Sequence, residues 1–157
     1  STGGFTDCLL QRGAAHVVAI DVGHGQLHER LRGDERVTNL ERCNVRTATI
    51  DTIGGAVDLV VSDLSFISLA LVVPPLVAMC NPGCPMVLLV KPQFEAGRAE
   101  VSRGKGVVTD PAVHARVRAE VGDALASVGC SVHGWTTSPI TGADGNTEFL
   151  VHAETPS

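Results

Sequence analysis

Val57-Asp58-Leu59-Val60-Val61-Ser62-Asp63-Leu64-Ser65-Phe66 is an apolar run that closes on a carboxylate. Val57, Leu59, Val60 and Val61 predict a strand buried on both faces, with Asp63 at its tip. A second run, Met86-Val87-Leu88-Leu89-Val90, ends in Lys91-Pro92. Ligands of an open parallel sheet bind just beyond the carboxyl ends of its strands. An acid and a base are therefore expected on one sheet edge, roughly 5 Å apart if the strands are neighbours.

Outward from that pair, the chain alternates strand and helix. Toward the N-terminus, Ser1-Thr2-Gly3-Gly4-Phe5-Thr6-Asp7 reads as a glycine loop. Thr6 or Asp7 is expected to cap a short helix that runs through Arg12 and stops at Gly13. His16 to Asp21 reads as a strand with an acid at its tip. Glycine loop, helix, strand and terminal acid make half of a nucleotide-binding unit. The dinucleotide fingerprint GxGxxG is not present, which disfavours a nicotinamide enzyme. Gln26 to Leu31 reads as a helix and Val37 to Glu41 as a short strand. His24 and His28 stand four apart without a third ligand in view, so solvent-exposed histidines fit better than a metal site.

Toward the C-terminus, Ser68 to Cys80 is a helical segment in which Pro74-Pro75 start the main body or kink it. Residues 92–109 read as a long loop with the basic residues Arg98, Arg103 and Lys105, which could meet substrate phosphates. Asp110-Pro111 is a helix start, and Val113, Val117, Val121, Leu125 and Val128 form an apolar stripe ended by Gly129. Cys130 to Ile140 and Thr147 to His152 predict an antiparallel hairpin across a tight turn at Gly142 to Asn146.

The 157 residues suit one domain, and at 44% hydrophobic residues the chain is not disordered. A formal net charge of −5 argues against this chain alone gripping a phosphate backbone. Lys91 and Lys105 are the only lysines, and one of them sits at a strand tip. Aromatic residues are 3% and tyrosine is absent, so no base-stacking platform is evident. Cys8, Cys43, Cys80, Cys84 and Cys130 lack paired CxxC knuckles, which fits reduced thiols and a cytoplasmic location better than zinc. The run Leu69 to Met79 is broken by prolines and too short to span a bilayer, so no stable membrane insertion is expected.

STGGFTDCLLQRGA, AIDVGHGQL, NVR, DLVVSDLSFISL, LVKPQFEAGR, GVVTDP and SPITGADGNTEFL, in that order, resemble the TlyA family of hemolysin-like, FtsJ-related ribose methyltransferases. The resemblance covers nearly the whole chain. It implies an α/β, Rossmann-like class I methyltransferase fold, with a mostly parallel sheet and a C-terminal antiparallel hairpin. It also implies S-adenosyl-L-methionine as donor and cytidine 2′-O-methylation in ribosomal RNA or ribosomal subunits. Asp63, Lys91 and Glu148 match the last three members of the FtsJ-type Lys-Asp-Lys-Glu set. The first lysine, the first strand and an S4-like RNA-binding domain would lie upstream, so residues 1–157 look like an N-terminally truncated catalytic domain. Ser1, Thr2, Gly3 and Gly4 would approach the methionyl part of the cofactor, Asp21 its ribose hydroxyls and Asn44 its adenine, with Asp63 beside it.

The chemistry suits those roles. A ribose hydroxyl is a poor nucleophile and a sulfonium methyl is already activated, so the enzyme must align the two and help remove a proton. Lysine serves when burial lowers its pKa, and Asp63 and Glu148 would orient it. A methyltransferase fold acting on a small molecule, and a non-catalytic or hemolysin-like membrane-active protein, are the alternatives. The Asp63–Lys91–Glu148 set speaks against the first. The lack of an amphipathic basic helix speaks against the second.

Overall fold

A computed structural model describes residues 1–97, 101–102 and 104–157. The chain forms two compact units, Ser1–Gly55 and Ala56–Ser157. In the first, helix α1 (Gly4–Gln11) leads to strand β1 (Val17–Ile20), helix α2 (Glu29–Arg32), strand β2 (Val37–Leu40) and helix α3 (Ile50–Ile53). β1 pairs in parallel with β2, and Leu10, Val17, Leu27 and Leu31 form the core. α1 starts earlier than expected. Its N-cap is Gly3, and neither Thr6 nor Asp7 caps it; Thr6 is buried inside the helix. α2 is also shorter than Gln26–Leu31, because His28 turns its ring nitrogen back onto the Arg30 amide and starts the helix there.

In the second unit, strand β3 (Val60–Ser62), a 3₁₀ turn (Leu69–Leu71) and helix α4 (Val73–Ala78) precede strand β4 (Pro85–Val90). Helix α5 (Pro92–Glu95), helix α6 (Pro111–Ser127), strand β5 (Ser131–Thr137) and strand β6 (Phe149–Glu154) follow. The sheet order is β3-β4-β6-β5, with β3 parallel to β4 and β6 antiparallel to both of its neighbours. Met86, Leu88 and Val90 alternate into the core with Val151 and Ala153, and α6 adds Val117, Val121 and Leu125. Asp110 caps α6 through the Ala112 amide, as the Asp-Pro start predicts.

Two further readings need correction. β3 is shorter than Val57–Asp63, and the apolar run is not buried throughout: Val60 is 9% exposed but Leu59, just before the strand, is 40%. Val57 makes only an isolated bridge to Cys80, and β3 has one strand neighbour in its unit. The loop expected over 92–109 begins instead with α5, where Pro92 occupies the first helical turn. Arg98 and Arg103 lie outside the described residues; Lys105 is exposed in the left-handed region at φ 51°. The five cysteines are free thiols, and burial pushes Cys80 up to about 12, which keeps it protonated. No helix among the described residues is long and apolar enough to cross a membrane.

Candidate active site

Parallel pairing of Ser62 with Leu88 brings the tips of β3 and β4 side by side. Lys91 Nζ lies 2.6 Å from Asp63 Oδ1 and donates to Ser65 Oγ at 3.1 Å. The lysine side chain is 13% exposed and the aspartate 47%, so a largely covered ammonium meets a carboxylate open to solvent. The acid–base pair expected on this sheet edge is thus an ion pair.

Glu148 is brought to the same unit but to a different partner. Its carboxylate is buried and accepts a hydrogen bond from Gln93 Nε2 at 2.9 Å. Its partner is Gln93, whereas Lys91 pairs with Asp63 and Ser65. The turn before β6 makes room for it: a Cβ on Gly142 would lie 2.1 Å from Glu148 Oε1. Buried Asn146 braces that turn. Its amide accepts from the Val108 backbone at 2.9 Å and donates to the Gly106 carbonyl at 3.0 Å. Glu95, at the end of α5, accepts from Ser68 Oγ at 2.6 Å and from the Leu69 amide at 2.8 Å. Burial pushes its carboxyl up, and those two bonds pull it back.

Sequence reading missed an aromatic pair. Phe66, 89% exposed, lies with its ring centroid 4.8 Å from that of Phe94, itself 6.0 Å from Lys91 Nζ. Phe66 has φ 63°, a left-handed backbone that a bulky side chain rarely adopts. The scarcity of aromatics had hidden this. Two of the four phenylalanines stand together beside the lysine.

The first unit holds the other expected residues. Asp21 follows β1, and its Oδ1 accepts from the Gly23 amide at 2.7 Å. The Cys43 amide donates to the Asp21 carbonyl at 3.0 Å, so Asn44 comes beside the same strand tip. Asn44 Oδ1 is taken by the Arg46 amide, which leaves its NH₂ group to serve a ligand. Gly3 and Gly4 differ. A Cβ on Gly3 would strike Leu27 and Leu31 at 2.5 and 2.4 Å, so this glycine serves close packing. Gly4 has open space around it, and α1 begins without a side-chain cap, leaving its first amides for a ligand. Thr2, whose carbonyl accepts from the His28 amide, lines with Gly3 and Gly4 a cavity of about 270 Å³. A part-exposed carboxylate at a strand tip and an uncapped helix start behind a glycine loop fit a nucleoside bearing an amino-acid carboxylate. His24 pairs with Glu41 at 2.5 Å, and His28 caps α2; neither faces the other as a ligand.

A family model described as FtsJ-like methyltransferase matches residues 1–155. The chain is 52% identical over 155 residues to the 16S/23S rRNA (cytidine-2'-O)-methyltransferase TlyA of Mycobacterium tuberculosis, across 99% of this chain and 58% of that protein. It therefore spans little more than half the length of that relative. A crystal structure described as a hemolysin from Lactococcus lactis superposes with a TM-score of 0.94 at 46% identity, across 98% of this chain and 74% of that one. N-methyltransferase NodS from Bradyrhizobium japonicum, solved with S-adenosyl-l-homocysteine, superposes with a TM-score of 0.65 at 17% identity, across 99% of this chain and 74% of that one. That last likeness is one of fold: the class I methyltransferase architecture.

Proposed function

The chain belongs to the FtsJ-like methyltransferase family, and from that membership we propose that it is the catalytic part of an enzyme that moves a methyl group from S-adenosylmethionine to the ribose 2′-hydroxyl of a cytidine in ribosomal RNA. The observation that carries this reading is the Lys91–Asp63 ion pair at the carboxyl edge of two parallel strands, next to an aromatic pair of which Phe66 is exposed. The glycine loop, Asp21 and Asn44 would hold the cofactor. The cofactor, when bound, supplies an activated methyl group. Lys91 Nζ meets the ribose hydroxyl and aligns it, Asp63 and Ser65 fix where Nζ points, and Glu148 supplies a second carboxylate to the site. The enzyme is proposed to work in the cytoplasm on ribosomal RNA or ribosomal subunits.

We place this activity in a longer protein. Among the described residues β1 pairs with β2 and β3 with β4, and each is an edge strand of its own sheet with backbone donors and acceptors open to further pairing. A segment upstream of Ser1 is proposed to supply a first strand, a second lysine and an S4-like RNA-binding domain. The test uses the parent protein with its upstream residues, tritiated cofactor and ribosomal subunits. Digestion of the RNA to nucleosides is expected to yield labelled 2′-O-methylcytidine. Label on a base, or transfer to a small molecule instead, overturns the proposal.

Two variants probe its halves. Asp21→Ala is expected to weaken cofactor binding by about tenfold or more, the worth of a hydrogen bond to a charged group, roughly 1.5–3 kcal/mol. Titration calorimetry reads this directly, and an unchanged Kd removes Asp21 from the cofactor site. Phe66→Ala is expected to raise the KM for RNA by about five- to a hundredfold, since stacking on a base is worth about 1–3 kcal/mol. The φ 63° backbone, which an alanine tolerates no better, stays in place. An unchanged KM for RNA would assign the exposed ring to something other than the substrate base.

A further inference from the structure

α5 is four residues long, yet two of its side chains hold other elements. Gln93 Nε2 donates to Glu148 Oε1 at 2.9 Å. Glu95 accepts from Ser68 Oγ and the Leu69 amide, in the segment that follows Asp63 and Ser65. Lys91 is the N-cap of the same helix. One helical turn thereby joins the three segments that carry Asp63, Lys91 and Glu148. α5 is seated in turn against α6.

We infer that Gln93 is a positioning residue, holding the Glu148 carboxylate in register with Lys91, while Glu95 anchors the helix that carries it. The inference rests on the methyltransferase reading. Gln93 is not explained by packing. Its Oε1 is buried without a hydrogen-bond partner among the described residues. A buried, unpaired acceptor weakens a fold, and a methionine of similar length would fill the same space without one. What glutamine adds is the donor to Glu148. The receiving side is shaped for the same contact, since Gly142 leaves space where Glu148 Oε1 sits. Lys91 is held by Asp63 and Ser65, and Glu148 by Gln93. Glu148 is therefore linked to Lys91 through α5.

Gln93→Met in the parent protein separates positioning from structure. The melting temperature is expected to hold or rise, and the cofactor Kd and the KM for RNA to stay within about twofold. The kcat is expected to fall by about tenfold or more, the pattern of a group displaced from productive geometry. Gln93→Glu sets a second carboxylate against Glu148. It should be slower than Gln93→Met at neutral pH and should regain part of that difference as pH falls and the pair shares a proton. Full kcat in Gln93→Met overturns the inference. So does a loss of rate matched by a loss of melting temperature. If the unsubstituted protein methylates no ribose, the proposed function fails, and the crystal structure of the Gln93→Met variant decides the positioning separately. A Glu148 carboxylate displaced from beside Gly142 upholds it; an unmoved one overturns it.

Discussion

Lys91→Ala is expected to lower methyl transfer by about 10²- to 10⁴-fold, the range of a removed acid–base group. Cofactor affinity should stay within about twofold, because the cofactor residues proposed above lie mainly in the other unit. The fold should tolerate the change. Removing one partner of a buried pair strands the other charge, but Asp63 is 47% exposed and regains water. Lys91→Arg should not restore activity, since a planar fork cannot put its charge where a single ammonium sits between Asp63 and Ser65. Tritium transfer to ribosomal subunits and calorimetric titration of the cofactor check both halves. Activity retained in Lys91→Ala would remove this lysine from the mechanism.

Gly142→Ala is expected to cost nearly as much in rate and little in stability. The added methyl would lie 2.1 Å from Glu148 Oε1 and 2.5 Å from its Cδ. Both atoms are the far end of a flexible side chain, so the chain yields there and the backbone stays. The carboxylate leaves its place and its bond to Gln93. A displacement on the order of 1 Å in a positioned group costs roughly 10²-fold in rate. The measurement is a kcat at saturating RNA and cofactor beside a thermal melt. A large fall in melting temperature with the rate per folded molecule unchanged would show that Gly142 serves the fold alone.

What could be read in the sequence was what depends on strand tips. Asp63 and Lys91 each end an apolar run, and parallel pairing puts such ends together, so their meeting was foreseeable. Helix α6 was legible from Asp110-Pro111 and its apolar spacing. Glu148 was only half legible. Its side of the hairpin depends on a register that residues 142–148 set through Asn146 and its bonds to the 106–108 backbone. α5 carried a signal that was passed over: proline directly after Lys91 is a helix start as much as a loop. The Phe66–Phe94 contact had no sequence signature, because it follows from a left-handed backbone at a residue type that seldom takes it. Burial of the β3 run was overread. Unbroken apolar residues suggested cover on both faces, whereas Leu59 is 40% exposed.

The place of β6 also bears on how the protein is made. β6 follows β5 in the chain but lies between β4 and β5 in the sheet. On the ribosome, β4 and β5 emerge with no strand pairing between them, and no ladder links them until residues 149–154 have been synthesised and slotted in. Domains fold as their chains are delivered, N-terminal parts first. Lys91 and Asp63 can pair early in that sequence, since β3 and β4 come first. Glu148 reaches Gln93 only with the insertion of the strand it precedes. A nascent chain would therefore hold the Lys91–Asp63 part of the proposed site first and acquire Glu148 in the step that pairs β6 into the sheet, so the proposed site and the β4-β6-β5 ladder arrive together.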